Sequence, residues 1–337
     1  MTENGIRDWR IGRWVAISAG LAVLFAAPVA YWGYHAFEER VSGEAAEPPP
    51  AAVDPEPFRV PELTFVEAET SEAVLEQLRE RGGEQWPPDE AVAPVTAASF
   101  PDDLAEVDVE TRKEVFFRIL TPIVLAENAR LREAREFVTE VGERREELAG
   151  ATRERLENLA EHYRVDLDED GAIETLLRRL DEIPADMALA QAANESGWGT
   201  SRFTRQANNL FGEWTWTQEE GLVPERRGEG ETHRIRVFPS LQRSVRSYYF
   251  TLNVGHAYDD LREMRAGMRD DRGTLDGEAL SAGLTAYSER GEAYVEEVRS
   301  MIRFNRLQQL NELRLDDVER RPTELAEAEV EEEAAGE

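Results

Sequence analysis

The chain of 337 residues is long enough to bury at least one sizeable core, and its 70 acidic against 39 basic residues give a formal net charge of -31. Such a surface repels nucleic-acid phosphate, which excludes nucleic acid as a partner, and it stays soluble whether the acidity marks a saline habitat or only a generally acidic exterior. The absence of cysteine excludes disulfides, thiolate metal sites and a cysteine nucleophile.

Arg7, Arg10 and Arg13 precede residues 14–34, an uncharged stretch with Trp14, Tyr31, Trp32 and Tyr34 at its ends. That length and flanking predict a transmembrane anchor with residues 1–13 on the cytoplasmic side and everything after it exported. The alternative is a cleaved signal peptide, but Pro28 after Ala26-Ala27 spoils the best cleavage site. Residues 35–108 are rich in Pro, Ala and Glu and read as a stiff solvated spacer with one short helix near Ser71 to Arg81.

Helical periodicity starts near Val109. Val115, Phe116, Ile119, Leu120, Ile123 and Val124 recur at spacings of three and four, and Pro122 is expected to kink or divide that helix. Two more amphipathic runs follow, through Leu131, Phe137, Val138 and Val141, then Leu148, Leu156, Leu159 and Tyr163. Residues 109–164 are therefore a helical region that packs on or extends the domain after it. That domain, 165–315, has more glycine, three tryptophans and a short β-like insertion, and residues 316–337 form an acidic tail expected to be disordered.

Pro184 opens a nearly uncharged helix through Met187, Ala188, Leu189, Ala192 and Ala193, which Gly197 stops. Asn194 and Glu195 fall in its last turn, before Ser196-Gly-Trp-Gly199 and a new helix start at Thr200-Ser201. The negative end of a helix and an apolar surround both disfavour an ionised Glu195, so its pKa is expected to rise. A carboxylic acid that keeps its proton near neutral pH can protonate a glycosidic oxygen as a sugar bond breaks. The plainer reading is a solvated glutamate at a frayed helix end.

The surroundings decide between the two. Gln191-Ala-Ala-Asn-Glu195-Ser-Gly-Trp-Gly-Thr-Ser-Arg-Phe203, followed by Asn208-Asn-Leu-Phe-Gly212, closely resembles the glucosaminidase domain of glycoside hydrolase family 73. Within that family it is most similar to the bacterial Bax-type proteins, which Gly221-Leu-Val-Pro224, Ser244-Val-Arg-Ser-Tyr248 and Tyr287-Ser-Glu-Arg-Gly291 with Tyr294 also fit. The resemblance implies a mainly α (α+β) architecture, a lysozyme-like helical domain with a small β-hairpin lobe. It also implies hydrolysis of the β-1,4 bond after N-acetylglucosamine in peptidoglycan, with Glu195 as the catalytic acid and Tyr287 as a further active-site residue.

In the related enzymes a second carboxylate lies on the hairpin. Turn residues place that hairpin at Leu222 to Phe238, so Glu229 is the first candidate, then Glu231 and Glu225. Trp198, Trp214 and Trp216 are candidates for stacking on sugar rings, with about one of the three expected to be simply a core residue. Tyr248 either lines the site or packs beneath it. Asn209 is a candidate substrate contact or, through backbone hydrogen bonds, a brace for its loop. The four histidines have no local metal-ligand spacing, so no catalytic metal and no cofactor is expected. A muramidase or lytic transglycosylase and a non-catalytic glycan-binding scaffold are the competing functions.

Overall fold

The computed structural model describes residues 62–89, 91–215, 221–222 and 234–316. The span 14–34, the first part of the expected spacer and the acidic tail from 317 lie outside the described residues. So do Trp216, Glu225, Glu229 and Glu231. Among the described residues no helix is long and apolar enough to cross a membrane.

The spacer expectation needs correction over residues 62–89 and 91–108, which are folded. Strand β1 (Thr64–Val66) precedes helix α1 (Ser71–Gly82), whose cap Thr70 accepts a hydrogen bond from the Ala73 amide. β2 (Ala91–Val92) and β3 (Val95–Ala97) follow, and β3 pairs in parallel with β1. Proline and glutamate content suggested solvation, but Val74, Leu75, Leu78, Phe100 and Leu104 are spaced to reach the core and are buried there.

Asp108 caps α2 (Val109–Val141) by accepting from the amides of Glu110 and Thr111. Its 33 residues run through Pro122 without a break, against expectation. A proline frees carbonyls in the preceding turn, and here the Thr96 hydroxyl donates to the Ile119 carbonyl at 2.6 Å while neighbours bury the helix from Val115 to Leu131. Side-chain satisfaction and tertiary packing thus hold the proline inside one helix.

Helices α3 (Gly150–His162) and α4 (Ala172–Arg179) lead to α5 (Ala185–Ser196), the small-residue helix that carries Glu195. Then come α6 (Arg202–Ala207), β4 (Trp214–Thr215), β5 (Arg234–Ile235), α7 (Leu241–Val254), α8 (Asp259–Arg272), the short α9 (Gly277–Leu280), α10 (Glu292–Phe304) and β6 (Arg314–Leu315). β6 pairs in parallel with β2, which fastens the end of the described chain to the segment before α2.

Alanines let α5 sit at the centre. Met187 to Ala190 are fully buried, and α2, α9, α10 and the 3-10 turn Leu307–Glu312 pack around it. One continuous core joins residues 62–164 to the rest, so the helical region before residue 165 is built into the same body. The architecture is mainly helical, with only short two-stranded pairings.

Candidate active site

Glu195 stands in the last turn of α5, where Gly197 ends the helix in a left-handed conformation (φ 57°). The following loop is fixed by its own bonds. The Ser196 hydroxyl donates to the Ala192 carbonyl (2.6 Å) and accepts from the Gly199 amide (2.8 Å), and the Ser201 amide donates to the Ser196 carbonyl (2.9 Å). Gly199 (φ 79°) is required, because a Cβ there would stand 2.9 Å from the Phe100 ring.

Burial pushes the Glu195 carboxyl up to about 7, although the Tyr294 hydroxyl, the Arg290 guanidinium and the Asn194 side chain each favour the ionised form. Tyr294 belongs to a buried relay. The Tyr248 hydroxyl donates to Gln191 Oε1 (2.7 Å), and Gln191 Nε2 donates to the Tyr294 hydroxyl (3.0 Å). That leaves the Tyr294 proton for Glu195. Tyr287 stacks on Tyr294 with ring centroids 5.2 Å apart, and Tyr258 lies beyond it at 6.3 Å. Burial and then the Glu195 charge raise the Tyr258, Tyr287 and Tyr294 hydroxyls, so at neutral pH all three are neutral donors.

The Asn-Leu-Phe-Gly segment forms the second wall. Asn209 is 1% exposed: its Nδ2 donates to the carbonyls of Glu213 (2.8 Å) and Arg236 (2.9 Å), and its Oδ1 accepts from the Glu213 amide (2.9 Å). Ser244 accepts from the Leu210 amide, and Phe211 stacks on Tyr248 at 3.9 Å. Asn209 is therefore the loop brace and not a substrate contact. Tyr248, 2% exposed, packs beneath the site instead of lining it.

A carboxylate missed in the sequence emerges from this bracing. Glu213 follows Gly212 directly, its Oε2 accepts from Ser247 (2.6 Å) and Arg236 (3.2 Å), and its buried Oε1 has no partner. Burial raises its carboxyl despite Arg236 and Ser247. The charges of Glu195 and Glu213 both act on Tyr258 and Tyr287, which places the two acids around one tyrosine cluster. The local sequence gave no sign of this, because Arg236 and Ser247 lie 23 and 34 residues along the chain.

The hairpin reading is observed at its base. Leu222 and Ile235 exchange both backbone hydrogen bonds, at 3.0 and 2.8 Å, and β4 pairs antiparallel with β5. Trp214 is half-buried next to Glu213. Trp198 is also half-buried, with the rings of Phe116 and Phe117 edge-on to it and Lys113 Nζ 5.0 Å from its centroid, so it is no freely exposed sugar platform. No group of three or more His, Asp or Glu among the described residues could hold a metal ion.

Over 201 residues, 59% of this chain and 71% of the relative, the sequence is 31% identical to the Bax protein of Escherichia coli (strain K12). The glucosaminidase family, described as mannosyl-glycoprotein endo-beta-N-acetylglucosaminidase, matches residues 172–307. The chain belongs to the Bax-type glucosaminidase family. Its domain is that of a glycan-cleaving hydrolase, and the matched span holds Glu195, Glu213 and the tyrosine cluster. No solved structure matches the chain.

Proposed function

We propose that the protein is an endo-β-N-acetylglucosaminidase that cuts the β-1,4 bond after N-acetylglucosamine in peptidoglycan, with Glu195 as the proton donor. The observation that carries this reading is a carboxyl held at about 7 by burial beside the neutral Tyr294 hydroxyl, in a chain of this family. As the C1–O bond breaks, the Glu195 proton passes to the departing oxygen, and a water molecule supplies the hydroxyl that ends on C1.

Glu213 is the second carboxylate in this reading. Arg236 and Ser247 hold one oxygen, and the buried Oε1, which has no partner, is left to accept from a water. In an inverting scheme Glu213 takes the water's proton. In a substrate-assisted scheme the acetamido oxygen attacks C1 as Glu195 protonates the departing oxygen, Tyr287 steadies the acetamido group, and the ionised Glu195 then takes the proton of the water that opens the cyclic intermediate. The anomer first released separates the schemes, and parallel Gln variants of Glu213, Glu229, Glu231 and Glu225 decide which acid matters. The uncharged span 14–34 with its arginines supports a membrane anchor that presents this domain to the wall from the extracytoplasmic side.

Digestion of purified peptidoglycan, followed by borohydride reduction and mass spectrometry, tests the bond. Reduced N-acetylglucosamine at the new ends is expected. Reduced or anhydro-muramic ends would assign the site to a muramidase or lytic transglycosylase, and cleavage of glycoprotein glycans alone would move the substrate class.

A further inference from the structure

The chain contains one lysine, Lys113, among its 39 basic residues. Lys113 lies near the start of α2, and its ammonium sits 5.0 Å from the centroids of both Trp198 and Phe304 while donating to Asn305 Oδ1 at 3.0 Å. It makes no ion pair with any described residue. Its neighbour Glu114 is engaged by Arg79 and Arg118. Arg306 nearby is exposed and also lacks an ion pair among the described residues. In a chain of net charge -31, this patch thus holds two cations without carboxylates.

The same patch is apolar. Phe304 at the end of α10 is 81% exposed, and Val109, one turn before Lys113 on α2, is 57% exposed. These are two of the three large apolar side chains exposed among the described residues. A phenyl ring left in water forgoes the stabilisation of burial, a cost that marks contact surfaces. Trp198 is held under the lysine in a left-handed conformation (φ 61°) that bulky side chains avoid, by the loop that ends α5. The patch adjoins the acid, since Trp198 comes three positions after Glu195 and their Cα atoms are at most about 11 Å apart.

We propose that Lys113, Phe304 and Val109, with Trp198 as the floor, form a subsite for the carboxylate-bearing peptides that hang from the glycan strand. The ammonium takes a peptide carboxylate, and the Phe304 ring and Val109 take the methyl groups beside it. An N-acetylglucosamine ring is neutral and has no use for an unpaired ammonium, whereas a peptide offers charge and methyl groups together. This subsite rests on the peptidoglycan reading given above.

The test compares Lys113→Glu, Lys113→Arg and Phe304→Ala in the full chain on three substrates: peptide-bearing peptidoglycan, the same strands after amidase removal of the peptides, and chitin oligomers. Lys113→Glu is expected to raise KM about tenfold or more on the first substrate alone, with kcat unchanged, Lys113→Arg near wild type, and the effect shrinking in high salt. Phe304→Ala is expected to raise KM in the same direction. An equal shift on all three substrates, a shift on the peptide-free strands with their lactyl carboxylates, or no shift would overturn the subsite. If the wild-type protein cleaves none of them, the glycosidase reading fails instead. Retention of Glu195→Gln protein on peptide-bearing peptidoglycan, with and without Lys113→Glu, then reads the subsite by itself: weaker retention supports it and equal retention overturns it.

Discussion

The two acids of the site are held in opposite ways. Glu195 ends a helix whose other residues are almost all core, so its position follows from packing, and its raised pKa follows from the same burial. Glu213 lies on an irregular segment next to a two-residue strand, and directional bonds fix it: Asn209 to its backbone, Arg236 and Ser247 to its carboxyl. Packing tolerates small losses at many points, whereas a polar brace fails when one partner goes. The state of the Glu195 carboxyl thus depends on the fold, and that of the Glu213 carboxyl on three side chains.

Substitution at the acid should give the largest effect. Glu195→Gln keeps the shape and removes the proton, and the rate of peptidoglycan cleavage is expected to fall about 10³-fold with an unchanged circular dichroism spectrum. The same variant should be the more stable protein at neutral pH. Below the unfolded pKa of 4.5 both states of wild type hold the proton. Between 4.5 and about 7 the unfolded chain ionises first, so wild-type stability falls as pH rises and levels off above 7. Denaturant titration of both proteins should show a gap that opens across that window to about 3 kcal/mol. A gap independent of pH would mean that burial does not set the Glu195 proton.

On the braced side, Asn209→Ala breaks three hydrogen bonds and is expected to cost about 2 kcal/mol by urea unfolding. It should also lower cleavage while Glu195 keeps its pKa. Gly199→Ala meets the Phe100 ring from a left-handed backbone and should cost about 1–3 kcal/mol, this time disturbing the Glu195 loop. The smallest effect is expected from Ser247→Ala, which removes one bond favouring the Glu213 carboxylate, so any limb of the pH–rate profile that belongs to Glu213 moves to higher pH. A shift of the Glu195 limb by the same amount would show that the two walls are not separately held.

How much was legible in the sequence follows the same division. Helix α5, its glycine stop, the Ser201 cap and the acid in the last turn are written in local residue order, which is why Glu195 could be singled out. Glu213 could not, since its meaning comes from partners on β5's extension and α7 brought close only by folding. Tyr294 stood in a recognised stretch, but its contact with Gln191 spans 103 residues. The folded state of residues 62–89 and 91–108 was hidden by proline and glutamate content, because composition counts residues and does not see that Val74, Leu75, Leu78, Phe100 and Leu104 converge on α2.

The most direct test of Glu195 as the proton donor is the dependence of kcat/KM on pH for wild-type cleavage of peptidoglycan. A loss above an apparent pKa of about 7, approaching tenfold per pH unit, is expected. A profile that stays flat from pH 6 to 9 would contradict it.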